Sequence, residues 1–259
     1  MDRSQFDQLV EKYKEGRLSH DEEALLEPYR AKRAIFIAAG FGSRMVPITI
    51  NTPKPLVRVH GQRIIDGLID ACIKAGIEEI YIVRGYLGEQ FDQLLYKYPM
   101  VKFINNDKYQ EANNISSACL AADLLENAYV FEADLCISNP EIITKYHYSS
   151  DFLAIPVESS DDWCFRTENG IIVEEMVGGS NCHQMVGISY WDAEDGKKLS
   201  KHLPEAFSED GKNLYWEQVP LKVFKSEYKV AVRECKACDI IEIDTFKELQ
   251  AIDEIYKGV

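Results

Sequence analysis

Two cations and two carboxylates define the chemistry open to this chain. Arg44 follows the small-residue run Ala38, Ala39, Gly40, Phe41, Gly42 and Ser43, which itself follows the apolar stretch from Ala34, and Lys54 lies between Pro53 and Pro55. Small side chains leave backbone N–H groups open to a ligand, and consecutive amides in such a turn make an anion nest. Arg44 can add a forked donor, and Lys54, its backbone restrained by two prolines, a point charge. The carboxylates are Asp134, closing the apolar run Val130-Phe-Glu-Ala-Asp, and Asp244, closing Ile240-Ile-Glu-Ile-Asp. A carboxylate at the end of a buried strand must be paired or must ligate a cation, so Asp134 is expected to hold Mg²⁺. Asp244 has two readings of equal weight, ligand or N-cap of a helix starting at Thr245. A triphosphate in a nest, two cations and a hard divalent ion together suit transfer at phosphorus, which needs positioning and charge neutralisation more than a general base.

Other glycine-loop chemistries are excluded by spacing. Gly40-Phe-Gly42 is followed by Ser43-Arg-Met45 with no third glycine of a dinucleotide fingerprint, and no G-x-x-x-x-G-K-[S/T] occurs. Two further loops are placed to meet a nucleoside. Gly85-Tyr86 opens the first, and Glu111 to Ser117 the second, where the amides of Asn113 and Asn114 or the hydroxyls of Ser116 and Ser117 could read a pyrimidine. Asn113 has an equal alternative as a helix cap. All 3 tryptophans adjoin acids, in Asp161-Asp-Trp163, Tyr190-Trp191-Asp192 and Tyr215-Trp216-Glu217. Aromatic faces rimmed by carboxylates suit an ammonium group, so Trp163, Tyr190, Trp216 and Glu217 are expected to bind an acceptor; core packing is the competing reading for each tryptophan.

The elements that must position these residues follow a βαβ rhythm. Strands are predicted at about 34–38, 79–83, 101–104 and 128–132, separated by helical patterns at 62–75, 88–97 and 113–125, which describes a parallel sheet with ligands at the strands' carboxyl ends. Shorter strands are expected at 151–157, 163–167, 171–176 and 183–190. Helical stretches follow near 193–205 and 214–225, then a strand pair at 229–233 and 239–243 and a closing helix at 245–257. Residues 1 to about 33 carry two amphipathic patterns, and Ser19-His-Asp-Glu22 has the spacing of a capping box that starts the second helix.

With 259 residues the chain buries an ample core unaided, and its 7 cysteines, odd in number and mostly in apolar runs, are expected to be reduced; Cys235-Lys-Ala-Cys238 lacks the second pair a zinc site requires. A formal charge of −14 disfavours nucleic acid and anionic membranes as partners. With no apolar span and a polar N-terminus, the expected location is cytoplasmic.

The strings A-A-G-F-G-S-R-M, N-T-P-K-P-L-V, R-G-Y-L-G-E-Q-F, N-D-K-Y, E-A-D, D-D-W, G-I-S-Y-W-D, L-Y-W-E and E-I-D-T occur in the order found in bacterial CTP:phosphocholine cytidylyltransferases, which residues 34 to about 257 resemble. The resemblance implies an α/β, Rossmann-like three-layer sandwich with a mostly parallel mixed sheet, of the nucleotide-diphospho-sugar transferase type. A helical arm (1–33) would precede a nucleotidyltransferase domain (34–259). It implies CTP and phosphocholine as substrates, CDP-choline and pyrophosphate as products, and Mg²⁺ held by Asp134 and Asp244. A sister activity uses 2-aminoethylphosphonate as acceptor, and sugar 1-phosphates are more distant alternatives. A homodimer is compatible with the chain. In a different class stands a nucleotide-sensing regulatory module with the arm as remnant of a DNA-binding domain, against which the acidic charge and the joint presence of Arg44, Lys54, Asp134 and Asp244 both argue.

Overall fold

The computed structural model describes residues 1–208 and 211–258. Its strands are β1 (Arg33–Ala38), β2 (Arg58–Val59), β3 (Gln62–Arg63), β4 (Glu79–Arg84), β5 (Val101–Asn105), β6 (Ala128–Glu132) and β7 (Leu135–Ile137), followed by β8 (Asp151–Glu168), β9 (Ile171–Trp191), β10 (Ala231–Glu234) and β11 (Ile240–Glu242). Seven of them make one sheet in the order β10-β8-β9-β6-β1-β4-β5. β1 runs parallel to β4 and β6, and β4 parallel to β5, whereas β9 is antiparallel to both β6 and β8. The expected mixed, mostly parallel core is therefore present.

Alternation along β1 divides the interior into two layers. Ala34, Phe36 and Ala38 face a core completed by Ile65, Leu68, Ile69 and Cys72 of α3 (Ile64–Lys74). Ile35 and Ile37 face the opposite core, built with Ile115 and Ala118 of α4 (Ile115–Leu120) and Leu199 and Leu203 of α5 (Ala193–Ser208). A strand buried on both faces reads as a continuous apolar run, as Ala34 to Ala39 does.

Three local expectations are corrected. The four short strands after residue 150 are two long ones, β8 and β9, joined at Asn169-Gly170, where φ values of 52° and 76° supply a tight hairpin turn. Their pairing shifts register between Ser160 and Trp163 and again around Cys164 to Thr167, which breaks the alternation that would reveal one continuous strand. The strands near 229–233 and 239–243 do not pair with each other: β10 lies parallel to β8 at the sheet edge, and β11 pairs antiparallel with β7. The stretch 214–225 contains only a π-helical turn, Val219–Val223, and 88–97 is 3₁₀ helix over Gly88–Tyr96.

The arm forms α1 (Arg3–Lys14) and α2 (His20–Leu26), the latter started by the Ser19/Glu22 capping box. Phe6 and Leu26 bury themselves against Tyr146, and Tyr29 stacks on Tyr148 with ring centroids 5.9 Å apart. The backbone bonds Ala31 N–H to Lys145 C=O and His147 N–H to Tyr29 C=O seal this seam. All seven cysteines are free, four of them buried. Among the described residues no helix is long and apolar enough to cross a membrane.

Candidate active site

β1 delivers its carboxyl end into the loop that carries Arg44, and a small apolar cluster holds that loop to the chain's last helix. Met45, Val57, Val59 and Ile64 pack there with Ile243 and with Leu249 of α6 (Phe246–Ile252). Gly42 adopts φ 66°, and a Cβ on it would lie 3.1 Å from Cβ of Lys54. Both the turn and the close approach of Lys54 therefore require glycine.

The two carboxylates are brought together by the β7–β11 ladder. Glu242 pairs with Leu135, and Ile243 N–H donates to Asp134 C=O at 3.2 Å, so Asp134 and Asp244 emerge side by side. Lys54, 8% exposed, bridges them with Nζ 2.7 Å from Asp134 Oδ2 and 2.7 Å from Asp244 Oδ1. Arg44 reaches Asp244 Oδ2 at 2.8 Å. The capping alternative for Asp244 fails, because Thr245 is the N-cap: its side chain accepts from Glu248 N–H, and Glu248 reaches back to Thr245 N–H.

Two carboxylates overlooked in the sequence join this group. Oxygens of Glu132, Asp134 and Glu242 lie within 4.8 Å of one another. The signal was present: both apolar runs end E-x-D, and residues two apart in extended chain point the same way. Burial, reinforced by Asp134, raises the Glu132 carboxyl well above the usual range and pushes Glu242 up to about 8. Burial works against ionisation of Asp244 too, but hydrogen bonding and attraction from Lys54 overcome it and hold that group low. The same partners, Asp134 and Asp244, outweigh the effect of burial on Lys54 and keep it protonated. Asp134 Oδ1 is buried without a hydrogen-bond partner. Three converging carboxylates with an unused oxygen make a hard donor set of the kind that fits Mg²⁺.

A cavity of about 530 Å³ runs from Gly40, Arg44, Asp134 and Asp244 to Asp162, Trp163, Tyr215 and Glu217. Beside it, a smaller one of about 140 Å³ is lined by Ala39, Gly40, Asn106, Tyr109, Asn113 and Ser117. The two share Ile37, Gly40 and Asn114, so the glycine loop after β1 sits at their junction. In the smaller cavity Asn106 Nδ2 donates to the hydroxyls of Ser116 and Ser117 at 3.0 and 2.9 Å. The Ser117 hydroxyl is thereby left to donate to a ligand. The backbone N–H of Asn113 donates to Lys212 C=O, and its side-chain Oδ1 accepts from the backbone N–H of Asn114, the N-cap residue of α4, at 2.9 Å.

Several assigned residues act at one remove or elsewhere. Ala38 is buried at the end of β1, and Ser43 opens the 3₁₀ turn of the loop. Phe41 and Tyr86 line neither cavity; their rings pack edge-on at 4.7 Å, and Tyr86 Oη donates to Ile50 C=O, bracing the loop from outside. Gly85 lines neither of these cavities but an adjoining one of about 600 Å³, with Asn106 and Tyr109, and a Cβ there would meet the Tyr109 ring at 2.8 Å. Gly85→Ala is expected to displace Tyr109 and raise KM for the nucleotide several-fold with KM for the acceptor unchanged; equal KM values for the nucleotide in variant and parent would dissociate Tyr109 from its binding.

The aromatic cage needs correction. Tyr190 is fully buried, stacked on His147 at 3.9 Å, and its hydroxyl donates to Asn127. Trp216, 3% exposed, packs on Phe152 and Trp191 in the core. Neither side chain reaches the cavity, because the end of β9 is covered on both faces and Trp216 turns inward beneath its neighbours. What remains is Trp163 with Tyr215, centroids 5.6 Å apart, and the carboxylates of Asp162 and Glu217. Glu217 Oε2 is buried with no hydrogen-bond partner, and burial, with Glu175 nearby, pushes its carboxyl up to about 7.

A Rossmann-like sheet with cations and carboxylates gathered at its carboxyl edge defines a transferase of nucleotidyl groups, and the profile described as "Nucleotidyl transferase" matches residues 33–158. The chain belongs to this family and is an enzyme of the EC 2.7.7 class. Over 228 residues it is 40% identical to a 2-aminoethylphosphonate cytidylyltransferase of Lancefieldella rimae, covering 86% of this chain and 92% of that protein. It is 33% identical to the choline-phosphate cytidylyltransferase of Streptococcus pneumoniae, covering 87% and 99% respectively. The solved structure of the pneumococcal CTP:phosphocholine cytidylyltransferase superposes with a TM-score of 0.80 at 32% identity, over 87% of this chain and 99% of that one.

Proposed function

We propose that the enzyme transfers the cytidylyl group of CTP to 2-aminoethylphosphonate, releasing pyrophosphate. Glu217 carries this reading: a buried carboxylate oxygen without a partner, in the cavity wall beside Trp163, calls for a hydrogen-bond donor. A primary ammonium donates to such an oxygen; a trimethylammonium has no N–H with which to do so. The names of the Lancefieldella and pneumococcal relatives support both CTP and an acceptor of this size.

In the proposed reaction an acceptor phosphonate oxygen forms a bond to the α-phosphorus as the bond to the bridging oxygen breaks and the pyrophosphate leaves with that electron pair. The loop amides at Ala39 to Ser43 would cradle the polyphosphate, with Lys54 and Arg44 facing it, while the Asn106-ordered hydroxyls meet the base. Glu132, Asp134 and Glu242, with Asp244 alongside, would hold Mg²⁺, which when bound neutralises phosphate charge. Glu217 and Asp162 would fix the acceptor's ammonium against Trp163, aligning its phosphonate at the junction of the two cavities.

Phosphocholine is the second reading, favoured by the Trp163–Tyr215 pair, since a quaternary ammonium gains most from aromatic faces. The deciding measurement is kcat/KM for both acceptors at one CTP and Mg²⁺ concentration. We expect the phosphonate to lead. Glu217→Gln should raise KM for it roughly 10-fold to 10²-fold, the worth of a hydrogen bond to a charged group, with KM for CTP little changed. A lead for phosphocholine, with Trp163→Ala more damaging than Glu217→Gln, would transfer the assignment to the choline ester.

A further inference from the structure

We propose that the seam between the N-terminal arm and the transferase domain is a second nucleotide-binding site, separate from the active site. A cavity of about 590 Å³ opens there, comparable with the 530 Å³ of the active-site cavity. Five cations line it, where the active-site cavity sets six carboxylates against Arg44. Each of the five meets one carboxylate: Arg3 with Asp7 at 3.0 Å, Lys14 with Glu11 at 3.4 Å, Lys74 with Glu141, Lys145 with Glu23 and Arg233 with Asp151. The pairs of Arg3, Lys14 and Lys74 are more than half exposed and therefore weak, which leaves these cations free to exchange onto an anionic ligand.

The cations are arranged for use. Arg233 is anchored at the base of the seam, donating from Nε to Asp151 Oδ1 at 3.0 Å and to Ile142 C=O. Lys145 Nζ lies 5.2 Å from the Tyr13 ring centre and 5.1 Å from that of Tyr146, with Glu23 only at 3.5 Å. At the rim, Lys74 pairs with Glu141, and both side chains are more than half exposed. Exposed pairs of this kind are weak, so a phosphate can exchange for Glu141 at little cost.

The rest of the wall specifies more than inorganic phosphate. Tyr13 meets Tyr146 edge-on at 5.1 Å and is itself 37% exposed, presenting a ring to a base, and Phe6, Val10 and Ile143 supply apolar surface for a sugar. An aromatic, apolar and cationic surface of this volume matches a nucleoside diphosphate. The family match begins at residue 33, so the helix that supplies Arg3, Phe6, Val10, Tyr13 and Lys14 lies outside it. The site is thus an addition made by the arm. It depends on neither the acceptor assignment nor the metal ligands.

Equilibrium dialysis of the full chain against CDP, with pyrophosphate as the second probe, tests this. The parent protein is expected to bind two CDP per chain. Lys74→Glu/Lys145→Glu should weaken one of them by roughly tenfold or more through loss of charge-assisted contacts, while turnover at saturating substrates stays within about twofold. Should the double variant fold poorly, the exposed single variant Lys14→Glu serves the same purpose with a smaller shift. Lys54→Ala should weaken the other class of site only. Tyr13→Ala should weaken CDP more than pyrophosphate at the seam. One CDP per parent chain, or two that survive charge reversal unchanged, would overturn the site; a seam that binds pyrophosphate as tightly as CDP and ignores Tyr13→Ala would overturn its nucleotide specificity.

Discussion

Replacing Lys54 by Ala is expected to lower kcat/KM at least ~10²-fold, the scale of removing one preorganised donor from developing phosphate charge. The ammonium is almost wholly buried and spans Asp134 and Asp244 at 2.7 Å each. Gly42 leaves it room to approach the loop backbone, and it lies beneath the cavity wall rather than in it. Its removal also leaves Asp134 and Asp244 facing each other near Glu132 and Glu242 with only Arg44 as counter-charge. Some loss of stability should therefore accompany the loss of activity, on the order of 3 kcal/mol for one partner taken from a buried pair. Saturating Mg²⁺ should restore part of the stability, because a cation can answer the same carboxylates, but not the turnover. Lys54→Arg should rescue poorly: the planar fork is larger than an ammonium and cannot sit symmetrically between two oxygens on the two aspartates. Thermal denaturation with and without Mg²⁺, set beside steady-state rates, separates these outcomes, and near-parental turnover in the Ala variant would remove Lys54 from the phosphate site.

The cation and carboxylate half of the candidate site was legible in the chain because it is local. The nest, Arg44 and Lys54 lie within 17 positions of Ala38, and each aspartate closes its own apolar run. Glu132 and Glu242 are equally legible, each two positions before its aspartate and so on the same side of the chain. The acceptor half was read less well. Adjacency to an acid says nothing about which side of the backbone an aromatic occupies, and in Tyr190-Trp191 both faces turned out to be buried, one in each core layer. The β7–β11 pairing joins residues about a hundred positions apart, and no local pattern announces it. Register shifts hid the continuity of β8: the local alternation fails between Ser160 and Trp163, and Trp163 lines the cavity. The nucleotide loops fell between. Asn113 and Ser117 line the smaller cavity, while Asn106, which orders both serines, precedes them by several residues and carries no motif of its own.

Asp134→Asn and Asp244→Asn are each expected to reduce turnover to near background, by ~10³-fold or more, with the fold retained. For Asp134 the reason is the free oxygen: Oδ2 is taken by Lys54, Oδ1 is buried and unpartnered, and an amide that turns its NH₂ toward either neighbour repels what the carboxylate attracted. For Asp244 it is the double engagement, one oxygen on Lys54 and the other on Arg44, which holds both cations at the mouth of the loop. Stability is the control that separates this from a capping role. Thr245→Ala removes the observed cap of α6 and should cost ~1 kcal/mol with activity largely kept, whereas Asp244→Asn should show the opposite balance. A readout independent of turnover comes from ligand linkage. Mg²⁺ with CTP should raise the melting temperature of the parent protein in proportion to the logarithm of ligand concentration, and Asp134→Asn should abolish the Mg²⁺-dependent part while leaving a residual effect of CTP alone. If Asp134→Asn kept the full Mg²⁺-dependent rise, the cation would have to sit elsewhere, and the cluster of Glu132, Asp134 and Glu242 would be only a repulsive group quenched by Lys54. If Asp244→Asn lost stability and kept its rate, Asp244 would be a structural partner of Arg44 and Lys54, and the chemistry would rest on Asp134 and Glu242.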